Sequence, residues 1–328
     1  MKKCCFIIPY FGKLPNYFQL FLKSCEYNPT FNWIVFTDDK TDFHYPDNVK
    51  RVEMSFQELR DLVQSKFDFP ISLERPYKLC DYKPAYGYIF SDFISGYKMW
   101  GHCDIDTLMG HLEDFLTPQI LSLYDKLFCL GHMTIYKNTD ENNTFFMKEY
   151  KGRLVYKEAL QTEDIYVFDE ENKGEVNINK MFLDLGKKVL VDDWSMNVIT
   201  SIHKFVRTKY TGVKTETARY GFHKEAIKDA LYIFDNSGIH RYYYEGNEFV
   251  KENFLYIHLQ GRKMEIDSTT ANMNRIIITP NKFYPLMIDS VSSCNFNYIR
   301  RNGPLKHYIK TLRVYKYVIN KLKIIWKR

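Results

Sequence analysis

In YKMWGHCDIDTLMGHL, residues 97–112, two aspartates stand one residue apart at the end of an apolar run. Asp104 and Asp106 offer hard oxygen ligands, and a Mg2+ or Mn2+ ion bound to a diphosphate takes only one or two such ligands from protein carboxylates. With one residue between them, one acid can touch the metal while the other shares it or holds a ribose. The pair can equally be two solvated acids where a strand meets water. With 22 aspartates in the chain, chance alone supplies a D-x-D or two. Its company adds weight. His258 in YIHLQGRKM is a candidate third metal ligand, and Arg262 and Lys263 just after it are cations suited to a diphosphate leaving group. A histidine on a strand also serves purely structural ends.

These residues must be held by a sheet. KCCFIIPYFG and NWIVFTDD read as buried strands ending in polar turns, and NYFQLFLKSCEYN between them has helical apolar spacing at Phe18, Phe21, Leu22 and Cys25. Strand, helix and strand in this order make a βαβ unit, so a parallel sheet is expected. Ligands gather at the carboxyl ends of such strands, where Pro9, Tyr10, Phe11 and Asp38 fall. SFQELRDLVQSKF predicts a helix, as does ERPYKLCDYKPAYGYIFSDFI, which carries Lys78, Asp81 and Lys83 just upstream of the D-x-D strand. KLFCLGHMTIYKN, KKVLVDDW and NFLYIHLQGRKM each predict a further strand.

The 328 residues suffice for one large α/β domain or two smaller ones. Aromatics make up 17%, with 26 Tyr and 25 Phe. Such rings suit clefts that bind sugars and bases, because the face is apolar and the tyrosine hydroxyl is not; a compositional bias gives the same count. No signal-peptide pattern and no spanning apolar segment is expected from the sequence. Seven cysteines without a C-x-x-C pair argue against a disulfide framework or zinc site and for a reducing cytoplasm.

The net charge of +6 belongs to the C-terminus, where residues 303–328 carry eight Lys or Arg and no acid. Leu305, Ile309, Leu312, Tyr315, Ile319, Leu322 and Trp326 recur at helical spacing, with Lys306, Lys310, Arg313 and Lys321 between them. This predicts an amphipathic helix with a basic face, for an anionic membrane surface or for docking on the body. The body is near neutral and has no recognition motif, which argues against nucleic acid.

The order of these features resembles the nucleotide-sugar glycosyltransferases of the GT-A fold, and within them bacterial capsule and cell-surface polysaccharide glycosyltransferase-like proteins. The matching stretches are IIPYFG, FTDD, KLCDYKPAYG, GHCDID and HLQGRK, in that order, over roughly residues 3–285. The helix before the D-x-D lacks a Gly-Gly step, and HLQGRK is not the H-x-x-G-x-K-P form of some relatives.

The resemblance implies an α/β, Rossmann-like mixed sheet flanked by helices over residues 1–290. Its nucleotide-binding half would span about 1–110 and its acceptor side about 111–250, with the basic amphipathic tail at 291–328. It implies Mn2+ or Mg2+ on Asp104, Asp106 and His258. The donor, a UDP-sugar, would contact Pro9, Tyr10, Phe11, Asp38, Lys78, Asp81, Lys83, Asp104, Arg262 and Lys263. A glycan or lipid-linked glycan would be the acceptor, at the inner face of the cell membrane.

Transfer also needs a carboxylate to orient the acceptor or stabilise a cationic sugar. Asp169 and Glu170 in YVFDEENKG and Asp192 and Asp193 in VLVDDWSMN are the candidates. The resemblance singles out Glu170 and Asp193, with retention favoured over inversion; turn acids capping helices are the alternative. His132 and Asn138 are candidates for the acceptor side. Two other readings compete: a non-catalytic carbohydrate- or nucleotide-binding protein, and a haloacid-dehalogenase-like phosphatase with CDIDTLMG as its nucleophile loop. The phosphatase loop belongs on the first strand of its domain.

Overall fold

Strand β1 (Lys2–Pro9) is apolar on both faces because both are covered. Cys4, Phe6 and Ile8 pack with α1 (Phe18–Glu26), while Cys5 and Ile7 face the opposite way. The computed structural model describes residues 2–171, 176–199, 204–214, 221–261 and 263–302. Arg262 and the amphipathic helix expected from Leu305 lie outside the described residues.

β2 (Phe31–Thr37) runs parallel to β1, and β3 (Val49–Glu53) parallel to β2. Helix α2 (Phe56–Ser65), closed by a Ser55–Glu58 capping box, lays Leu59 and Val63 on the face that holds Cys5 and Ile7. The expected helix over residues 74–94 is instead a chain of short turns that includes α3 (Leu79–Tyr82) and α4 (Tyr86–Ile89). Pro76 and Pro84 account for this, since each lacks an N–H and breaks the ladder. β4 (Tyr97–Cys103) then joins β1 in parallel and ends immediately before Asp104. A side chain at Gly87 would stand 2.4 Å from the Trp100 indole, so only glycine lets α4 lie on β4.

After β4 the chain leaves this sheet for the short β5 (Thr107–Met109). The run expected as one strand over residues 126–138 is two, β6 (Lys126–Leu127) and β7 (Met133–Lys137), parted by a turn in which Phe128 has φ 68°. With β8 (Val189–Leu190) the first sheet has the order β3-β2-β1-β4-β7-β6-β8, parallel through β4 and antiparallel at β7. This is the mixed α/β sheet with helical cover that the sequence predicts.

Two further sheets were not legible as such. β9 (Ser195–Ile199), β10 (Lys204–Tyr210) and β11 (Phe222–Glu225) build the second. β12 (Leu231–Asp235), β13 (Gly238–Glu245) and β14 (Glu248–Phe254) belong to the third. β15 (Tyr256–His258) returns to the second sheet, ordered β11-β10-β9-β15-β5, while β16 (Ile276–Ile278) and β17 (Phe283–Pro285) complete the third. NFLYIHLQGRKM, expected as one strand, is thus split between β14 and β15. A last helix, Phe296–Asn302, buries Phe296 and Ile299 against Leu231 and Ile233 of the third sheet. All seven cysteines are free. Among the described residues no helix is long and apolar enough to cross a membrane.

One buried ion pair shapes the wall that faces β4. Lys78 Nζ donates to Asp81 Oδ2 at 2.7 Å and to the carbonyls of Ala159 and Asp164 at 2.9 and 2.6 Å. Asp81 in turn accepts the N–H groups of Tyr166 at 2.9 Å and Phe168 at 3.0 Å. Between those two, Val167 has φ 63°, a conformation that costs a β-branched residue about 1–3 kcal/mol. The carboxylate holds both neighbours of the strained residue and so fixes the turn that leads to Asp169 and Glu170. Asp81→Ala leaves a buried ammonium unpaired and is expected to destabilise the protein by about 3–5 kcal/mol. Urea unfolding measures this, and a loss below about 1 kcal/mol would contradict the clamp.

Candidate active site

The antiparallel pairing of β5 with β15 sets Thr107 opposite His258. Asp104 and Asp106 precede Thr107, and His258 ends β15, so residues far apart in sequence converge at the carboxyl end of β4. His258 Nε2 lies 3.4 Å from Asp106 Oδ1 and 3.8 Å from Asp104 Oδ2. One ligand atom from each of the three lies within 4.8 Å of the others. Two carboxylates and an imidazole at this spacing fit a divalent ion of the Mn2+ type.

The turn after β15 wraps Asp106: Leu259 N donates to its carbonyl at 2.8 Å, and Gly261 N donates to Oδ2. Burial works to raise the Asp106 pKa, but His258 and the Gly261 N–H outweigh it and hold the acid below the usual carboxylate range. Burial likewise opposes the charged form of His258, yet Asp106 and Asp104 raise its pKa. The ring of His132 stacks on that of His258 at 4.5 Å and meets the Tyr256 hydroxyl at 2.5 Å. Burial, then His258 and Lys83, lower the His132 pKa well below the usual value, so it is neutral.

These groups floor a cleft of about 910 Å³. Pro9, Tyr10 and Phe11 line one side, and Lys263 stands exposed at the rim. Tyr77, 73% exposed, and Cys80, Ile165, Val167, Asp169 and Glu170 belong to the facing wall. Lys83 Nζ bridges the two sides, 2.8 Å from Asp104 Oδ1, 3.4 Å from Asp169 Oδ2 and 2.7 Å from the Gly131 carbonyl. Burial disfavours its charge, but Asp104 and Asp169 raise its pKa well above the usual lysine value. A side chain at Gly131 would fall 2.6 Å from Asp169 Oδ2, so glycine there gives the acidic pair its room.

Several predicted residues are elsewhere. Lys78 and Asp81 are 1% and 0% exposed and do not line the cleft; they are the clamp behind its wall. Asp38 is outside the lining as well, because its Oδ1 accepts Gly12 N at 2.7 Å and closes the turn after β1. Asp193 is also absent from the lining; it is buried and bonded to Ser195. Asn138 donates to the carbonyls of Ile94 and Tyr97, a structural role. Asp104 follows the fourth strand of the first sheet, not the first strand that a haloacid-dehalogenase-like loop requires. Asn197 is the residue that sequence reasoning missed: its Oδ1 faces His258 Nδ1 at 3.1 Å. Its one signal is polar alternation in Ser-Met-Asn-Val, with Ser195 and Asn197 on one face of a buried strand.

The chain belongs to a family described as a family of unknown function (DUF6625), which matches residues 6–287. No curated protein matches it in sequence. Among solved structures it is similar to the galactosyltransferase LgtC in complex with donor and acceptor sugar analogs, with a TM-score of 0.34 and 9% identity over 60% of this chain and 76% of that one. An active-site mutant of LgtC is similar at a TM-score of 0.32 and 9% identity, over 60% and 75% of the two chains. Likeness of this degree assigns neither residues nor activity.

Asp169 has a consequence for stability. Burial raises its pKa to about 7, against the opposing pull of Lys83. Between about 4, the ordinary carboxylate value, and about 7, the folded chain keeps a proton that the unfolded chain has lost. Stability from this group therefore falls as pH rises through that window. Asp169→Asn cannot ionise, so its melting temperature is expected to fall less between pH 4 and 7 than that of the wild type. Parallel profiles in differential scanning calorimetry would contradict the assignment.

Proposed function

We propose that the protein is a metal-dependent glycosyltransferase that moves a sugar, a hexose of a UDP-sugar, to a glycan or lipid-linked glycan acceptor in bacterial cell-surface polysaccharide synthesis. One observation carries the reading: two carboxylates and an imidazole converge at the carboxyl end of a parallel sheet, on the floor of a cleft large enough for a nucleotide-sugar. The order of sequence features along the chain supports the same reaction class and favours retention of configuration.

On this reading Asp104, Asp106 and His258 hold Mn2+ or Mg2+. What the ion supplies when bound is Lewis-acid neutralisation of the departing diphosphate. Lys83, held between Asp104 and Asp169, adds a fixed positive charge beside the same group. Tyr10 and Phe11 give the base and ribose an aromatic flank, Lys263 adds a cation at the rim, and Arg262 before it in sequence is a second cation suited to the diphosphate. Glu170 and Asp169 on the opposite wall provide the carboxylates that orient an acceptor hydroxyl or stabilise positive charge on the sugar. Asp193 leaves this list, because it lies behind His258. The basic residues after Leu305 suit an anionic inner membrane surface and a cytoplasmic, peripheral location.

Calorimetry of UDP binding, with Mn2+ and with EDTA, tests the reading. Binding is expected only with the metal. Asp106→Ala is expected to weaken it by more than the ten- to hundredfold, roughly, that outer-shell losses cause. UDP-sugar hydrolysis is expected to follow the same dependence. Metal-dependent binding of UDP without turnover of any UDP-sugar would favour a binding protein, and metal-independent binding would remove the three ligands from the mechanism.

A further inference from the structure

We propose that Asn197 is a positioning residue that fixes the tautomer of His258, and that Asp193 sets the direction of this control through Ser195. The inference rests on His258 being a metal ligand as read above.

The parallel pairing of β15 with β9 sets His258 beside Asn197. Asp193, Ser195 and Asn197 alternate along the chain, so their side chains fall on one side and run in a line behind the histidine. The line is continuous. Ser195 Oγ is 2.9 Å from Asp193 Oδ2, Asn197 Nδ2 is 2.8 Å from Ser195 Oγ, and Asn197 Oδ1 is 3.1 Å from His258 Nδ1. All four residues are buried.

Donor and acceptor roles along this line are fixed from one end. Burial raises the Asp193 pKa to about 6; above that pH the ionised carboxylate only accepts, so the Ser195 hydroxyl donates to it. Its oxygen then accepts from the next residue, which must present an N–H. Asn197 therefore turns its amide nitrogen toward Ser195, and that nitrogen also lies 3.4 Å from Asp193 Oδ2. The reverse orientation would set the amide oxygen against the same carboxylate. With the nitrogen so committed, Oδ1 faces His258, and an acceptor opposite Nδ1 requires the proton on Nδ1. Nε2 is left with its lone pair aimed at the space between Asp104 and Asp106. A metal-ligating histidine needs that lone pair free, and the group behind the ring is what keeps it so.

Two readouts test this on the full-length protein. The first needs no substitution: nitrogen-15 NMR of the metal-free wild type at alkaline pH, where the His258 ring is neutral. The Nδ1–H form is expected to dominate; a dominant Nε2–H form would overturn the inference. The second is Mn2+ affinity by calorimetry. Asn197→Leu, which removes the acceptor, is expected to weaken Mn2+ binding about ten- to a hundredfold. Asn197→Asp keeps an acceptor opposite Nδ1 and is expected to recover most of that loss. Wild-type binding with unchanged affinity in Asn197→Leu would overturn the positioning role and leave the metal site standing. Failure of the wild type to bind Mn2+ would sink the metal reading itself, and the NMR result would then decide the hydrogen-bond assignment alone.

Discussion

The pairing of β5 with β15 is the constraint on which the site depends. Only three residues of each strand take part, yet they bring the end of the parallel sheet to a histidine from the far side of the chain. Strand geometry makes the register unforgiving, because a slip of one residue would turn His258 to the opposite face. Both strands are buried throughout, and β15 is also paired to β9, so register is held from two sides. The turn that follows then closes on Asp106 through Leu259 and Gly261, which ties the last strand of the second sheet to the loop leaving the first.

Two lysines, Lys78 buried and Lys83 partly buried, divide the labour around the cleft. Lys78 and Lys83 lie five residues apart in one helical stretch, and both reach carboxylates. The Lys78 ammonium is fully enclosed, satisfied by Asp81 and two carbonyls, and acts on the wall of the cleft through backbone. Lys83 emerges inside the cleft and meets Asp104 and Asp169, which come from opposite walls. The helical turn Leu79–Tyr82 lies between the two lysines, and five residues along a helix turn the two side chains to different sides.

This division marks where sequence reading reached its limit. β1, α1, β2 and the strand before Asp104 were legible because their apolar runs end in polar turns, and the D-x-D could be placed at a sheet edge from that pattern alone. Lys78, Asp81 and Lys83 share one helical stretch and residue types that suit one anion site, and nothing in spacing tells a clamp from a cleft cation. Only burial does. Asp38 misled for a similar reason: it stands at a ligand-binding strand end, but a nearby backbone N–H claims it. The second and third sheets escaped notice because their strands are short and paired across long separations, and β15 has only three residues. Asn197 was hidden by the same fact, since its importance exists only once β9 and β15 lie side by side.

Charge in the cleft bears on how a diphosphate is held there. Asp104, Asp106, Asp169 and Glu170 line it against Lys13, Lys83 and Lys263, and two of those lysines stand exposed at the rim, where solvent screens them. Lys83, the partly buried one, is already shared between Asp104 and Asp169. An anionic ligand therefore meets the carboxylates of Asp104 and Asp106 at the floor, and a divalent cation held by Asp104, Asp106 and His258 would offset their charge locally. On the proposed reading metal and nucleotide thus favour each other's binding, for electrostatic reasons that precede any chemistry on the sugar. Burial, helped by the neighbouring cations, accounts for the neutral histidines packed around the floor. An imidazolium beside His258 would compete with the ion for the same carboxylates, and burial keeps both His132 and His102 uncharged.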